Sequence, residues 1–189
     1  MKNKAHNLAT WNFAEGDRIL PDANFWINVF GPASSVVQPT TQVRIYSSAL
    51  GRMMARKASV FIDVTIMSEF VNTLARLEFN SNFKGNGYAA WEFKRFRDSS
   101  DFIPTARMIE REFRKILKIS QCVDHPFSLW ELPSLLSNFG KGGEDFNDQL
   151  IIEITKHYDL KLLTDDGDMI NGGVDILTAN GKLIRDCPL

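Results

Sequence analysis

The chain has 189 residues and a formal net charge of −1, with 44% hydrophobic and 24% charged residues. This composition is ordinary for a globular domain and excludes wholesale disorder and collagen-like repeats. No apolar run approaches the roughly 18 residues of a membrane span, and the first residues lack the apolar core of a signal peptide. The two cysteines, Cys122 and Cys187, form no CxxC motif and favour a reducing compartment. We therefore expect a single domain over residues 1–189, located in the cytoplasm and without a membrane partner.

The small net charge conceals two segments of opposite sign. Residues 84–118 contain nine Lys or Arg and five Asp or Glu, whereas residues 141–186 contain five Lys or Arg and ten Asp or Glu. Such a split places a basic and an acidic surface on one chain, but it is also typical of two solvated faces. The charge pattern alone favours the second interpretation.

The first predicted elements alternate between strand and helix. Apolar residues 19–20 indicate the end of a short buried strand, and a helical period begins at Asn24 and stops at Gly31-Pro32. A second helix is predicted over residues 41–57, because apolar residues recur there every three or four positions and basic residues occupy the last turns. The β-branched run at 59–65 then predicts a strand.

A third helix is expected directly after this strand. Thr65 can cap it, and the helical period continues to about Phe79. Its apolar positions are expected to turn Phe70, Leu74 and Leu77 inward.

The middle of the chain predicts loops and short helices. Residues 80–87 are rich in Asn and Gly and predict a loop, and residues 88–120 predict two helical pieces with a break near Ser99-Ser100. Three short elements follow: a strand at 119–123, a small helix at 128–138 and a glycine-rich break at 140–143.

The last part of the chain has the clearest pattern. A helix capped by Asp145 is predicted from about Phe146, followed by strands at 160–164 and 174–177. Asn180-Gly181 predicts a hairpin turn before a last strand at 182–184. Strands that alternate with helices imply βαβ units. The sequence thus predicts an α/β fold, a three-layer α/β/α sandwich with a mainly parallel central sheet and a helical elaboration at about 80–138.

Acidic residues follow strands or open helices in four separate segments. With right-handed crossovers, these positions share the carboxyl edge of a parallel sheet, where open α/β folds bind their ligands. Taken singly, each acid is also an ordinary cap, first-turn or turn residue. Together they bring carboxylates to one edge without an evident basic partner, which indicates Mg²⁺ or Mn²⁺ because hard oxygen ligands suit these ions. The acids are Asp22, Glu69, Asp148, Asp165, Asp166 and Asp168.

Other site chemistries lack their sequence signatures. His6, His125 and His157 are too scattered to predict a metal set. No GxxxxGK[ST], GxGxxG or GxSxG motif is present, so nucleoside-triphosphate, dinucleotide and α/β-hydrolase sites are not indicated.

Four motifs, in this order, resemble those of PIN domains. This family of metal-dependent ribonucleases includes the VapC-type toxins of bacterial toxin–antitoxin pairs. The motifs are ILPDANFWINVF at residues 19–30, VTIMSEFVNTLAR at 64–76, FNDQLIIEITKHYDL at 146–160 and LLTDDGDM at 162–169. Together they frame most of the chain, and the last two make that half of the resemblance quite specific.

The resemblance implies a metal-dependent endoribonuclease that hydrolyses phosphodiester bonds of single-stranded or loop RNA with Mg²⁺ or Mn²⁺. It further implies a toxin with a cognate antitoxin protein, and a homodimer. The positions that match the catalytic acids are Asp22, Glu69, Asp148 and Asp166. The positions that match metal ligands are Asp22, Asp148, Asp166 and Asp168. Asn24 and Thr164 match supporting positions, whereas Asp165 occupies a variable place and is left out of the set.

The chain departs from compact family members between Glu69 and Asp148. This longer interval holds the basic, aromatic segment, whose charges are candidates for RNA contact together with Trp91 or Phe96. The basic candidates are Lys94, Arg95, Arg97, Arg107, Arg111 and Arg114. A core position is the favoured interpretation for the two aromatic residues.

Three other functions are compatible with the pattern. The chain could be a non-catalytic PIN-like scaffold or adaptor protein, or a housekeeping nuclease that processes RNA. A haloacid-dehalogenase-like phosphatase is the weakest alternative, because that class needs a second Asp two places after the first, where this chain has Asn24.

Overall fold

A parallel sheet of six strands forms the centre of the described chain. The computed structural model describes residues 1–31, 40–142 and 145–189. The strands are β1 (Lys4–Asn7), β2 (Arg18–Pro21), β3 (Ser59–Ile62), β4 (Gln121–Cys122), β5 (Lys161–Leu163) and β6 (Asp175–Thr178). They lie in the order β1-β6-β5-β2-β3-β4, and all neighbouring strands are parallel. The predicted α/β fold with a parallel sheet is confirmed.

Eight α-helices in the described residues surround this sheet. They are α1 (Ala23–Phe30), α2 (Thr41–Ala55), α3 (Val64–Glu78), α4 (Phe93–Arg97), α5 (Phe102–Ile119), α6 (Leu132–Gly140), α7 (Phe146–His157) and α8 (Gly181–Asp186). Helix α1 packs against α2 and α3, and α3 also contacts α5 and α7. The arrangement is that of a three-layer α/β/α sandwich. Within the described ranges, none of the helices combines the length and the apolarity needed to span a membrane.

The sheet is held by apolar residues on both of its faces. Consecutive residues Ile19 and Leu20 of β2, and Leu162 and Leu163 of β5, are fully buried. Because successive side chains of a strand point to opposite faces, this pattern requires cover on both sides. The strands are buried because helices lie above and below the sheet, and the core extends from Ala5 to Cys187.

The order of the strands creates a crevice between β2 and β5. From β2 the chain passes outward to β3 and β4, whereas β5, β6 and β1 lie on the other side. In open parallel sheets, the helices after two such strands diverge and leave a crevice at the carboxyl ends of the strands. The candidate acids reach this crevice.

Most predicted elements are present, but two helix starts differ from the prediction. Asn180-Gly181 does not form a hairpin turn: Asn180 is the N-cap of α8, its side chain accepts a hydrogen bond from the Lys182 N–H, and residues 182–184 are helical. Helix α3 begins at Val64, so its N-cap is Asp63 and the prediction of Thr65 was wrong. Asp63 accepts a hydrogen bond from the Ile66 N–H with one carboxylate oxygen and is 2.8 Å from His125 Nδ1 with the other.

One strand and one side chain also differ from the sequence prediction. Strand β1 was not predicted, because its burial pattern has one buried residue, Ala5, and therefore no apolar alternation. Leu77, expected to face inward, is 38% exposed. Two predicted helix-breaking positions, Pro32 and Gly143, lie outside the described residues.

The middle segment contains the two predicted helical pieces, α4 and α5, on either side of Ser99-Ser100. Before them, Phe79–Phe83 forms a π-helical turn where a loop was predicted. Phe96 is fully buried among Phe79, Phe83 and other aromatic rings, as expected. The core position expected for Trp91 is wrong, since this side chain is 86% exposed.

Candidate functional site

Asp22 lies at the bottom of the crevice, directly after β2. It is the N-cap of α1, and its Oδ1 accepts a hydrogen bond of 2.7 Å from the Phe25 N–H. Pro21 is the last residue of β2, where its missing N–H is tolerated. The carboxyl group of Asp22 is buried at the end of the strand, so its position is fixed by both the sheet and the helix.

Thr164 connects the ends of β2 and β5. Its hydroxyl donates to Asp22 Oδ2, and its Oγ1 accepts a hydrogen bond of 2.9 Å from the Asp166 N–H. Asp166 is contacted from the first turn of α1 by the Asn24 amide, with 3.4 Å between Nδ2 and Oδ2. Asn24 and Thr164, the two residues expected to have a supporting role, therefore tie Asp22 and Asp166 into one hydrogen-bonded group.

Glu69 and Asp148 lie on two different helices, and the charge of Asp166 acts on both of them. Glu69 lies in the second turn of α3, and Asp148 lies in the first turn of α7, behind the predicted N-cap Asp145. Burial raises the pKa of Asp148 to about 7, and the charges of Asp166, Asp145 and Glu69 contribute to this rise. The pKa of Glu69 is raised by burial, then by the charge of Asp166.

Of the four acids, Asp22 is the most deeply buried. Burial raises its pKa to about 8, although the hydrogen bonds from Thr164 and Phe25 lower it, and the charges of Glu69 and Asp166 also raise it. In the described parts of the chain, no Lys, Arg or His side chain forms a salt bridge with any of the four acids. Among the described residues, negative charge is thus concentrated with no protein cation paired to these four acids, and the charge of Asp166 contributes to a raised pKa of the nearby Lys182.

Asp168 differs from the other four candidate acids. It is exposed, and the Lys182 Nζ donates a hydrogen bond of 2.8 Å to its Oδ1. Its backbone N–H donates to Asp166 Oδ1 at 2.9 Å, which keeps it beside the crevice. As a metal ligand, Asp168 would have to share its carboxylate with Lys182.

Two residues that support the site were not identified from the sequence. The Tyr46 hydroxyl donates to Asp165 Oδ1 at 2.7 Å and accepts from the Ala179 N–H at 3.2 Å. The Asn180 amide donates to the carbonyl oxygen of Asp165 at 2.7 Å. These contacts hold the loop after β5, and they give Asp165 a structural partner away from the quartet. The sequence signal for Asn180 was its preference for helix N-caps, whereas Tyr46 had the same spacing as any core residue of α2.

The donor chemistry of the four acids fits Mg²⁺ or Mn²⁺. All four side chains offer carboxylate oxygens, which suit hard cations. A bound cation would offset the repulsion that, together with burial, raises the pKa values of Asp22, Glu69 and Asp148. Among the residues that the structure describes, no three Asp, Glu, His or Cys side chains are placed as a ready metal-binding group. Asp22, Glu69, Asp148 and Asp166 would therefore need side-chain rearrangement to hold a cation together.

The six basic candidates for RNA contact fall into two groups. Three already have acidic partners: Arg95 pairs with Glu92, Arg111 with Glu112 and Arg114 with Glu110. The other three, Lys94, Arg97 and Arg107, are exposed and form no salt bridge within the described ranges. The second group keeps its charge available, and exposed Trp91 lies close to Lys94 in the sequence.

Comparisons with known proteins identify no family. No family model matches the chain, and no curated protein matches it significantly. Among solved structures, the crystal structure of PAE2754 from Pyrobaculum aerophilum has 16% sequence identity and a TM-score of 0.47, and the match covers 95% of each chain. A similarity of this degree identifies neither a family nor an activity.

Proposed function

We propose that the protein is a Mg²⁺- or Mn²⁺-dependent endoribonuclease that hydrolyses phosphodiester bonds of single-stranded or loop RNA. The observation that supports this proposal is the cluster of Asp22, Glu69, Asp148 and Asp166 at the switch point of the sheet. Three of these acids have a pKa raised by burial and by neighbouring negative charge. Strongly perturbed carboxyl groups in a crevice are typical of functional sites.

The residues of the cluster would have distinct parts in the reaction. Asp22, Asp148 and Asp166, with Asp168 as a fourth ligand, would hold the cation, and Glu69 completes the catalytic set. Thr164 and Asn24 would position the carboxylates of Asp22 and Asp166. A divalent cation, when bound, activates water and offsets the charge that develops on phosphate.

The direct test is cleavage of a mixed RNA pool by the purified protein with Mn²⁺ or Mg²⁺. We expect cleavage with either ion and none in EDTA, and we expect the products to accept a ligation that requires a 5′-phosphate. A pool that stays intact with both ions would contradict the proposal.

We propose that this activity serves a toxin, which a cognate antitoxin protein would neutralise. The resemblance to PIN domains also implies that the protein forms a homodimer. The test is expression of the chain in a bacterial host with and without the small open reading frame directly upstream of its gene. Growth arrest that this reading frame relieves would support a toxin, whereas normal growth with a cleavage-active protein would support a housekeeping nuclease.

A non-catalytic scaffold is the second candidate function. The observation that favours it is that no ready three-ligand group exists in the described residues. The Mn²⁺ dependence of thermal unfolding separates the two candidates. A catalytic site should raise the melting temperature in Mn²⁺ through binding to the folded state, and a scaffold with poor metal affinity should show no shift.

Lys94, Arg97 and Arg107 are expected to bind the RNA backbone. Replacing all three with Ala should weaken binding of a labelled RNA oligonucleotide, because three charges available to phosphates are lost. The slope of log affinity against log salt concentration should fall by about 2, since each contact to a single strand contributes about 0.7. The measurement is fluorescence anisotropy in EDTA, which prevents cleavage. The matched control replaces the three paired residues Arg95, Arg111 and Arg114, and an equal loss in both variants would contradict this assignment.

A further inference from the structure

A cavity of about 420 Å³ lies beside the acidic cluster. It is lined by the C-terminal half of α6, one face of α7, the loop at 168–172 and Met1. Asp148 and Asp168 line it, so the cavity is continuous with the proposed catalytic site. Its volume lies within the usual range of small-molecule sites.

Gln149 forms part of the wall of this cavity, and its amide has no partner among the described residues. The residue is 7% exposed, and both Oε1 and Nε2 are buried without a hydrogen bond to any residue that the structure describes. A buried amide that lacks partners destabilises the folded state, and most buried polar groups in proteins are paired. Gln149 follows Asp148 directly in α7, so this unpaired donor and acceptor lie next to one of the catalytic acids.

The remaining wall of the cavity combines apolar and basic side chains. Leu135, Ile152 and Met169 are buried apolar residues that line it. Lys141 and Lys156 also line it, and each has a hydrogen-bond partner of its own, Asn138 and Glu153. Apolar surface suits the faces of a planar ring, an amide suits its edge, and lysines suit a phosphate.

We infer that this cavity receives one unpaired nucleobase of the RNA strand, and that the Gln149 amide, whose polar atoms are covered in this structure, turns toward the cavity and pairs with the edge of that base. The inference rests on the proposed function, which identifies the bound polymer as RNA. It adds to that function a residue, Gln149, that selects the base next to the cleaved bond. A Gln side chain can donate and accept at once, which is the pattern required for a two-hydrogen-bond contact with a base edge. Sequence-specific recognition of RNA commonly uses such unstacked bases.

The experiment compares the wild type with Gln149→Met, which keeps the length of the side chain and removes both polar atoms. Cleaved fragments of a randomised RNA pool are sequenced in Mn²⁺ to obtain the base preference at each position near the cut. We expect the wild type to prefer one base at one position, and the variant to lose about tenfold of that preference. Gln121→Met is the matched control, because Gln121 is exposed on the edge strand β4 and does not line the cavity.

The melting temperature shows whether Gln149 has a structural role instead. Removing an unpaired buried amide should leave the melting temperature unchanged or raise it. A fall of several degrees in both Gln149→Met and Gln149→Leu would show that the amide has a partner within the protein, and it would overturn the inference.

The outcomes separate this inference from the proposed function. If the pool is cleaved but the preference of Gln149→Met equals that of the wild type, the base site is wrong and the nuclease stands. If the wild type does not cleave the pool, the nuclease is wrong, and binding of the four nucleoside monophosphates in EDTA then decides the base site. Saturable binding that falls about tenfold in Gln149→Met supports it, and absent or equal binding overturns it.

Discussion

The variants Asp22→Asn and Asp166→Asn are each expected to lose at least about 100-fold of the RNA cleavage rate and to keep the wild-type fold. Asn has the size of Asp but lacks its charge, so each change removes one anionic ligand from the cluster. The fold should persist in Asp22→Asn because the amide oxygen of the new side chain can still accept the hydrogen bond from the Phe25 N–H that caps α1. The measurement is the initial cleavage rate of a labelled RNA in Mn²⁺, together with circular dichroism.

The control for these variants is Asp159→Asn. Asp159 is exposed and precedes β5, so it lies at the amino end of the sheet, opposite the crevice. Its φ of 50° is well tolerated by Asn, and the fold should be undisturbed. This variant should cleave RNA at the wild-type rate. Cleavage at the wild-type rate by both Asp22→Asn and Asp166→Asn would show that the acidic cluster is not the active site.

The position of the acidic cluster could be predicted from the periodicity of apolar residues, which gives the order of strands and helices, and from the right-handedness of the crossovers between parallel strands. The sequence placed one acid after each of two strands and one in each of two helices, and parallel pairing with right-handed crossovers puts these positions at one edge. The pKa values of Asp22 and Asp148 are raised by burial and, in part, by the charge of Asp166, as expected of carboxyl groups that lie near one another. This prediction depended on the order of the elements and not on their exact bounds, so the error at the start of α3 did not affect it.

The contacts within the crevice could not be predicted in the same way. Lys182 reaches Asp168 because residues 181–186 form a helix, whereas the Asn-Gly pair favoured a hairpin turn. Asn is favourable both in tight turns and at helix N-caps, and only the packing of Leu183 in the core distinguishes the two outcomes here. Local preferences were therefore sufficient for the sheet edge and insufficient for the loops that surround it.

The burial of Gln149 could not be predicted from the sequence either. Helix α7 buries Leu150, Ile151 and Ile154, and these residues made its inward face visible in the sequence. A polar residue beside that face is normally assigned to solvent, since Gln is mostly exposed in proteins. Gln149 is buried where α7 meets α6 and the loop after β5. Whether neighbouring elements cover a polar side chain depends on tertiary packing, which the pattern of a single helix does not show.

The metal-free protein is expected to lose stability as the pH rises from about 5.5 to about 8.5. Folding raises the pKa of Asp22 from 3.8 to about 8 and that of Asp148 from 3.8 to about 7. A carboxyl group whose pKa is raised by folding binds its proton more tightly in the folded state, so its contribution to stability is present at low pH. That contribution is lost as the pH rises through the folded-state pKa. We expect the free energy of unfolding, measured with urea in EDTA, to fall by about 3 kcal/mol over this range, most of it from Asp22.

Asp22→Asn should remove most of this pH dependence, because Asn does not ionise and the buried site is then neutral at every pH. The variant should also be more stable than the wild type at about pH 8.5, where Asp22 is charged and buried without a cation. Mn²⁺ should restore the stability of the wild type at that pH and leave that of Asp22→Asn nearly unchanged, since cation binding favours the ionised carboxylates. Stability that rises from pH 5.5 to 8.5 in EDTA, or an equal effect of Mn²⁺ on both proteins, would show that Asp22 is not a buried acid coupled to a cation site.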